Sequence, residues 1–292
     1  MNILYNSFEE LARLAGEQGT AISDVVLADQ AAQMEEPPEA LLARMDADLT
    51  VMQEAAEKGL DPALRSASGL SGGSAARVDQ YVERTGGICG PRFGRSLAVA
   101  LAVSECNAAM GRIVATPTAG SCGILPGAVL PLLEEGRFSR EQVGKSLFTA
   151  GGLGMVIANK AYLAGAQGGC QAECGSASAM AAAVLTELWG GSPGQCAHAA
   201  AIALKCLLGL ACDPVAGLVE VPCVKRNASG LANALCAAQL ALAGVASAVP
   251  CDEVIEAMRA VGDAMPCALR ETAQGGLAAT PTGIQWKKRL FQ

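Results

Sequence analysis

The sequence predicts a mainly α-helical protein, an Ala/Gly-rich and bundle-like body whose Gly-rich loops converge on one site. Three observations predict it. Hydrophobic residues make up 51% of the 292 residues and charged ones only 17%, which places the chain far from the disordered class and lets it bury a large core. Aromatics are scarce at 3%, so the apolar mass comes from Ala, Leu, Val and Gly, the composition of closely packed helices. Beyond residue 60, Ala-rich helical stretches alternate with loops of Gly and small hydroxyl residues, leaving little room for strands.

Residues 1–60 read as an N-terminal helical arm packed on a body formed by residues 61–292, one domain overall. Ser7 and Glu10 make a capping-box pattern before FEELARLAGEQG, in which Phe8, Leu11, Leu14 and Ala15 recur at helical spacing. A second helix starts near Ser23, and Pro37 and Pro38 interrupt. PEALLARMDADLTVMQEAAEKG then makes a longer helix that stops at Gly59. In the body, helices are expected over roughly 92–110, 139–160, 174–189, 194–210, 224–247 and 252–262, with ends uncertain by a few residues.

A net charge of −7 and the lack of any Lys/Arg-rich run argue against a nucleic-acid partner. The N-terminal stretch has neither a basic head nor an apolar run with a small-residue cleavage site, so a cytoplasmic protein is expected. Residues 227–251 carry no charge, which invites a membrane reading, since a span needs roughly 20 apolar residues. That stretch is mostly Ala and Gly, contains Asn, Gln and Ser, and has no Trp or Tyr for an interfacial belt. It reads as a buried central helix, and no membrane partner is expected.

Five loops share one character: SASGLSGGSAAR, TPTAGSCGILPG, GAQGGCQAECGSASA, CDPVAGLVEVPC and ETAQGGLAATPTG. Taken together they suggest one site where backbone N–H groups and hydroxyls reach a small anionic ligand. The chain has 12 cysteines, and a reducing compartment argues against disulfides as their use. Cys106, Cys196, Cys206 and Cys236 fall inside Ala-rich helices and read as buried small hydrophobes. Cys170, Cys212 and Cys223 instead lie at bends defined by Gly or Pro. Such positions suit metal thiolates, but zinc would call for close Cys pairs or His partners, and the single His is His198. Thiolates gathered singly from separate loops suit an iron–sulfur cluster, with buried free thiols as the plainer alternative.

The loops GCQAECGSASAMAAA, CDPVAGLVEVPCVKRNA, TPTAGSCGILPG, SGLSGG and LRETAQGGLAATPTG together resemble the alpha chain of iron–sulfur-dependent L-serine dehydratase, nearly end to end. The resemblance implies a mainly helical catalytic domain holding a [4Fe-4S] cluster through Cys170, Cys212 and Cys223, with one iron left open. It also implies a separate beta chain as partner and L-serine as substrate. Two departures stand out: Cys174 occupies a place where a small apolar residue is expected, and no cysteine follows Cys267 that could cap the open iron.

Turning L-serine into pyruvate and ammonia requires loss of an α-proton and of hydroxide, and an open iron would act as Lewis acid on the β-hydroxyl. Ser68, Ser71, Thr116, Thr118 and Ser121 are the expected binders of the substrate carboxylate, with Gly amides beside them. Arg226 and Asn227 are expected to bond to sulfur or substrate, and Arg270, Glu271 and Thr272 to line the same cavity. His198 and Lys205 are the candidate bases, unless the beta chain supplies one. The rival readings are a related [4Fe-4S] L-cysteine desulfidase, a structural or regulatory subunit without catalysis, and a pyridoxal-phosphate dehydratase. For the last, no Gly-rich strand-to-helix phosphate cup accompanies any Lys.

Overall fold

A computed structural model describes residues 5–291, so the first residues of the expected arm lie outside the described residues. The protein is all but strandless: the described residues hold a single isolated β-bridge, between Cys212 and Arg270. The helices are α1 (Phe8–Gln18), α2 (Ile22–Met34), α3 (Pro38–Gly59), α4 (Ser74–Thr85), α5 (Pro91–Ala108), α6 (Ile124–Glu134) and α7 (Arg140–Lys160). They continue as α8 (Gly165–Gly168), α9 (Ser176–Leu188), α10 (Pro193–Lys205), α11 (Cys223–Leu242), α12 (Cys251–Ala264) and α13 (Pro281–Phe291).

Helix α9 is the hub. Its Ala-rich sequence favours helix and presents little side chain, so α6, α7, α10 and α11 can all lie against it, and every residue from Ser176 to Thr186 is buried. Helix α5 is a second hub, ringed by α3, α4, α6 and α11. Glycine makes these crossings close. A Cβ on Gly59 would lie 1.9 Å from the Ala102 carbonyl oxygen, and one on Gly123 would lie 2.1 Å from that of Ala100.

The arm shares this core. Phe8, Leu11, Val26, Leu49 and Met52 belong to the same buried cluster as Leu153, Ile157 and Leu204. Ser7 caps α1 by accepting the Glu10 N–H, while the Glu10 carboxylate reaches one residue further back than expected, to the Asn6 N–H. Asp252, in the first turn of α12, accepts the Phe8 and Glu9 N–H groups at 3.2 and 3.0 Å and so covers orphan donors of α1. Glu187 of α9 joins the arm to α7, one of its oxygens accepting from the Ser23 N–H of the arm and from the Thr149 hydroxyl of α7.

Most expected helices recur close to their drawn limits, though the one drawn to 247 ends at Leu242; α4, α6, α8 and α13 lie where no helix is expected. Helix α6 hides behind its prolines: Pro126 stands in the first turn, where an N–H would be orphaned anyway, and Pro131 interrupts the interior. The helix expected over 194–210 ends at Lys205. Cys206 therefore falls beyond it and is exposed, as is Cys236 on the outer face of α11, and neither is the buried hydrophobe expected; Cys106 and Cys196 are buried. Helix α11 buries one face, Asn227, Leu231, Ala234 and Ala238 among others, and no described helix is long and apolar enough to cross a membrane.

Candidate active site

Three bends carry the three cysteines. Cys170 follows Gly169, whose φ of +76° and crowding by Met265 Sδ, 2.6 Å from any added Cβ, admit no side chain. It precedes a π-helical turn, Gln171–Gly175, that leads into α9. Gln171 fixes this turn. Its amide nitrogen donates to the Gly168 and Met258 carbonyls at 2.9 and 3.0 Å, its side-chain oxygen accepts the Gly209 N–H, and its own N–H donates to the Leu210 carbonyl.

Cys212 is pinned by its backbone, donating to the Leu269 carbonyl at 2.8 Å and accepting the Glu271 N–H at 2.7 Å. The chain then reverses through Ala216 and Gly217, at φ +57° and +75°, and closes with the Val215 N–H on the Val221 carbonyl. A cis peptide before Pro222 delivers Cys223 as the first residue of α11. Asp213 braces the bend by accepting from Arg226 and from the Leu277 N–H, both at 2.8 Å.

These bends meet. Cys170, Cys212 and Cys223 are all buried; Cys212 feels the charge of both Cys170 and Cys223, and Cys223 feels that of Cys170. Burial first, and the Cys170 sulfur second, push the Cys223 thiol up to about 12 and raise Cys212 as well. Cys170 goes the other way. A hydrogen bond with Cys174, whose Sγ lies 3.4 Å away, lowers it, and the Arg226 guanidinium adds to the effect. Glu173 joins the group, its carboxyl raised by burial, with Thr118 donating to Oε1 at 2.9 Å. A Cβ on Gly165 would lie 2.8 Å from Cys212 Sγ and 2.9 Å from Glu173 Oε2, so that glycine keeps both atoms on one open space.

The family model for the serine dehydratase alpha chain matches residues 17–278. This chain belongs to that family. It is 51% identical over 288 residues to a probable L-serine dehydratase alpha chain of Bacillus subtilis, covering 99% of this chain and 96% of that one. It is 45% identical to the L-serine dehydratase alpha chain of Peptoniphilus asaccharolyticus, with 99% of each chain covered. An L-serine dehydratase of Escherichia coli is 48% identical over 182 residues, 61% of this chain but only 40% of that longer protein.

Around the cysteines of this alpha-chain family member, several expected residues gather. Thr118 and Ser121 share a 3.1 Å hydroxyl contact, and Thr118 spends its second bond on Glu173. Ser121 donates to the Thr116 carbonyl, and Thr116 to the Cys122 carbonyl, so both hydroxyls hold their own loop in shape. Asn227 is fully buried and spoken for: it donates to Ser104, the Gly120 carbonyl and the Cys223 carbonyl, and accepts the Gly123 N–H. It ties the 116–123 loop to Cys223. Arg226 donates to the Ala211 carbonyl and to Asp213. Glu271 bears on Cys212 and Glu173, whereas Arg270 donates weakly to the Gln167 carbonyl and Thr272 to that of Cys267. Ser68 donates to Glu220 at 2.7 Å, within the bend that carries Cys212 and Cys223, and Ser71 lies buried beside it.

His198 and Lys205 sit apart from this gathering. Both meet Ser247, His198 accepting its N–H at 3.3 Å and Lys205 donating to its hydroxyl at 3.0 Å. The charged groups bearing on the cysteines are Glu173, Arg226 and Glu271 instead. Glu173 is not singled out in the sequence, and Cys174 stands out there only as a departure from the resemblance, with no role. A signal was there: Glu173 is the one ionisable side chain besides cysteine between Gly165 and Thr186, in a stretch otherwise built of small residues. A cleft of about 520 Å³ lined by Phe93, Leu132, Trp189 and Leu242 holds no cysteine and no part of this site.

Among the described residues no group of three His, Cys, Asp or Glu side chains is spaced to hold a metal ion. A mononuclear site is therefore a poor fit. A cluster asks for something different, since each thiolate binds its own iron and the sulfurs stand apart around a shared space. Three buried soft donors on separate rigid bends, beside a glycine that leaves room between sulfur and carboxylate, fit that demand.

Proposed function

We propose that the chain is the catalytic alpha chain of an L-serine dehydratase, an ammonia-lyase that converts L-serine to pyruvate and ammonia. The observation that carries the reading is the convergence of Cys170, Cys212 and Cys223 with Glu173 and Thr118 in a member of this family. The three cysteines would hold a [4Fe-4S] cluster, and when bound it supplies a Lewis acid toward the β-hydroxyl.

The chain's own residues do the rest. Gln171, Asn227 and Asp213 fix the bends, so the sulfurs are held in place before any ligand arrives. Thr118 orients Glu173, and Ser121 braces Thr118 in turn. Glu173 Oε2 takes the α-proton, in place of His198 or Lys205, because burial raises its affinity for a proton and it faces the cysteine space. Aminoacrylate then tautomerises and hydrolyses without the enzyme. The relatives' designation as alpha chains, and the greater length of the Escherichia coli relative, support a separate beta chain as partner. A thiol-rich site of this kind suits the reducing cytoplasm.

Anaerobic reconstitution with iron and sulfide, followed by a pyruvate assay with and without the beta chain, tests the reading. A brown protein that bleaches on reduction and forms pyruvate from L-serine is expected. A folded, colourless, iron-free chain without activity would instead favour a structural subunit, and faster turnover of L-cysteine than of L-serine a desulfidase.

A further inference from the structure

One buried carboxylate near the cysteines lacks the partners its neighbours have. Glu105, Asp213 and Asp252 are buried too, but each accepts at least two donors: Glu105 the Ser74 and Ala75 N–H groups, Asp213 Arg226 and the Leu277 N–H, and Asp252 two N–H groups plus Lys160 at 3.1 Å. Glu220 is 6% exposed and accepts a single side-chain bond, from Ser68 to Oε1, while Oε2 is buried with no partner. Close by in the same network, Ser71 is 4% exposed and its Oγ also has no partner. Ser71 and Ser66 bond to each other through N–H, carbonyl and hydroxyl groups, and Ser66 Oγ lies 3.1 Å from Ser68 Oγ. A run of hydrogen bonds through Ser68 and Ser66 thus links the two residues that carry the orphan atoms.

Leaving a buried carboxylate oxygen without a donor is costly, and no described Lys, Arg or His pairs with this one. What completes it must donate several hydrogens and carry positive charge. An anion is the wrong ligand, because Glu220 repels it and Ser68 has already given its hydrogen away. A primary ammonium has three donors and no acceptor, which matches one free carboxylate oxygen and one free hydroxyl. The location also fits, since the Glu220 carbonyl accepts the Val224 N–H in the first turn of α11, and Cys223 lies between them.

We propose that Glu220 Oε2 and Ser71 Oγ form the subsite for the ammonium group of the amino-acid substrate, with Ser68 as the residue that positions the carboxylate. The inference rests on the serine-dehydratase reading and deepens it, and it moves Ser68 and Ser71 from the substrate's carboxylate end to its ammonium end. It makes Glu220 a specificity determinant: a hydroxy acid without the amine gains nothing from it.

The test uses the reconstituted alpha chain with its beta chain and compares the wild type with Glu220→Gln and Ser71→Ala. The readouts are kcat and KM for L-serine, the inhibition constant of 3-hydroxypropanoate, which is serine without its amine, and iron per chain. Glu220→Gln is expected to raise KM for L-serine about 30-fold and Ser71→Ala about 5-fold, with kcat little changed. The inhibition constant of 3-hydroxypropanoate and the iron content should stay at their wild-type values. An unchanged KM in an iron-loaded Glu220→Gln enzyme overturns the proposal, as does an equal loss of affinity for both ligands. Should Glu220→Gln fail to fold or load iron, Ser71→Ala decides alone, and an unchanged KM there overturns it. A wild type that loads iron but makes no pyruvate would overturn the dehydratase reading itself, and this inference with it.

Discussion

Around α9 the backbone is regular and the side chains are small, so helices come together until glycine is the only residue that fits between them. Around the cysteines the backbone is irregular, with left-handed residues at Gly169, Ala216, Gly217 and Glu271, a π-helical turn and a cis proline. Polar groups differ as well. In the body, Glu187 finds two donors on one oxygen, whereas in the bends Glu220 Oε2 and Ser71 Oγ find none. The contrast teaches where the molecule is finished and where it is waiting. Apart from the Tyr5 and Ser176 hydroxyls, body contacts close on themselves, whereas the bends leave a carboxylate oxygen without a donor.

If that division is real, substitutions on its two sides should fail in different ways. The largest effect should come from Cys212→Ser, which removes a soft donor from a bend held by backbone bonds. Pyruvate formation and iron content should fall by well over the ~10- to 100-fold typical of groups one step removed from a metal, while the helical circular dichroism of the metal-free chain stays as in the wild type. Loss of helix along with iron would break the comparison.

Gly59→Ala should do the reverse. Its Cβ would sit 1.9 Å from the Ala102 carbonyl oxygen, so α3 and α5 must separate. We expect a loss of about 3 kcal/mol, seen as a lower midpoint of thermal unfolding, with iron per folded chain unchanged. A stable variant would mean that the crossing is less tight than it looks.

The smallest effect should come from Glu187→Gln. Burial raises the Glu187 carboxyl above its ordinary 4.5, so the folded chain holds that proton more tightly than the unfolded one. Its stabilising contribution is present below pH 4.5 and is lost as pH rises through the folded value. A neutral Gln that still accepts from Ser23 and Thr149 should therefore match the wild type near pH 4 and exceed it at pH 8, on the order of 2 °C in melting temperature. A variant less stable at pH 8 would show that the charge itself is needed.

Much of this division can be read from residues alone. The Ala-rich runs announce α5, α7, α9, α10 and α11, because periodicity and propensity agree there. Cys170, Cys212 and Cys223 stand out through the Gly and Pro beside them. Helix α6 is hidden because Pro126, Gly127 and Pro131 look like a loop, and only the burial of residues 124–132 against α5, α9 and α11 overrides that local preference. The roles of the polar residues are harder still. Asn227 looks like a ligand to substrate until its four bonds are seen to be spent on the protein. Glu173 and Glu220 look like surface charges until the bends fold over them. Which partners a side chain has already used is a property of distant segments, and no local pattern encodes it.

Helix α12 links the molecule's edge to its reactive centre. Asp252 at its start grips the first turn of the arm, and the Met258 carbonyl further along receives Gln171, the neighbour of Cys170. Those two points are about 9 Å apart along a rigid rod. Whatever pulls on α1 pulls through that rod on the bend that carries Cys170.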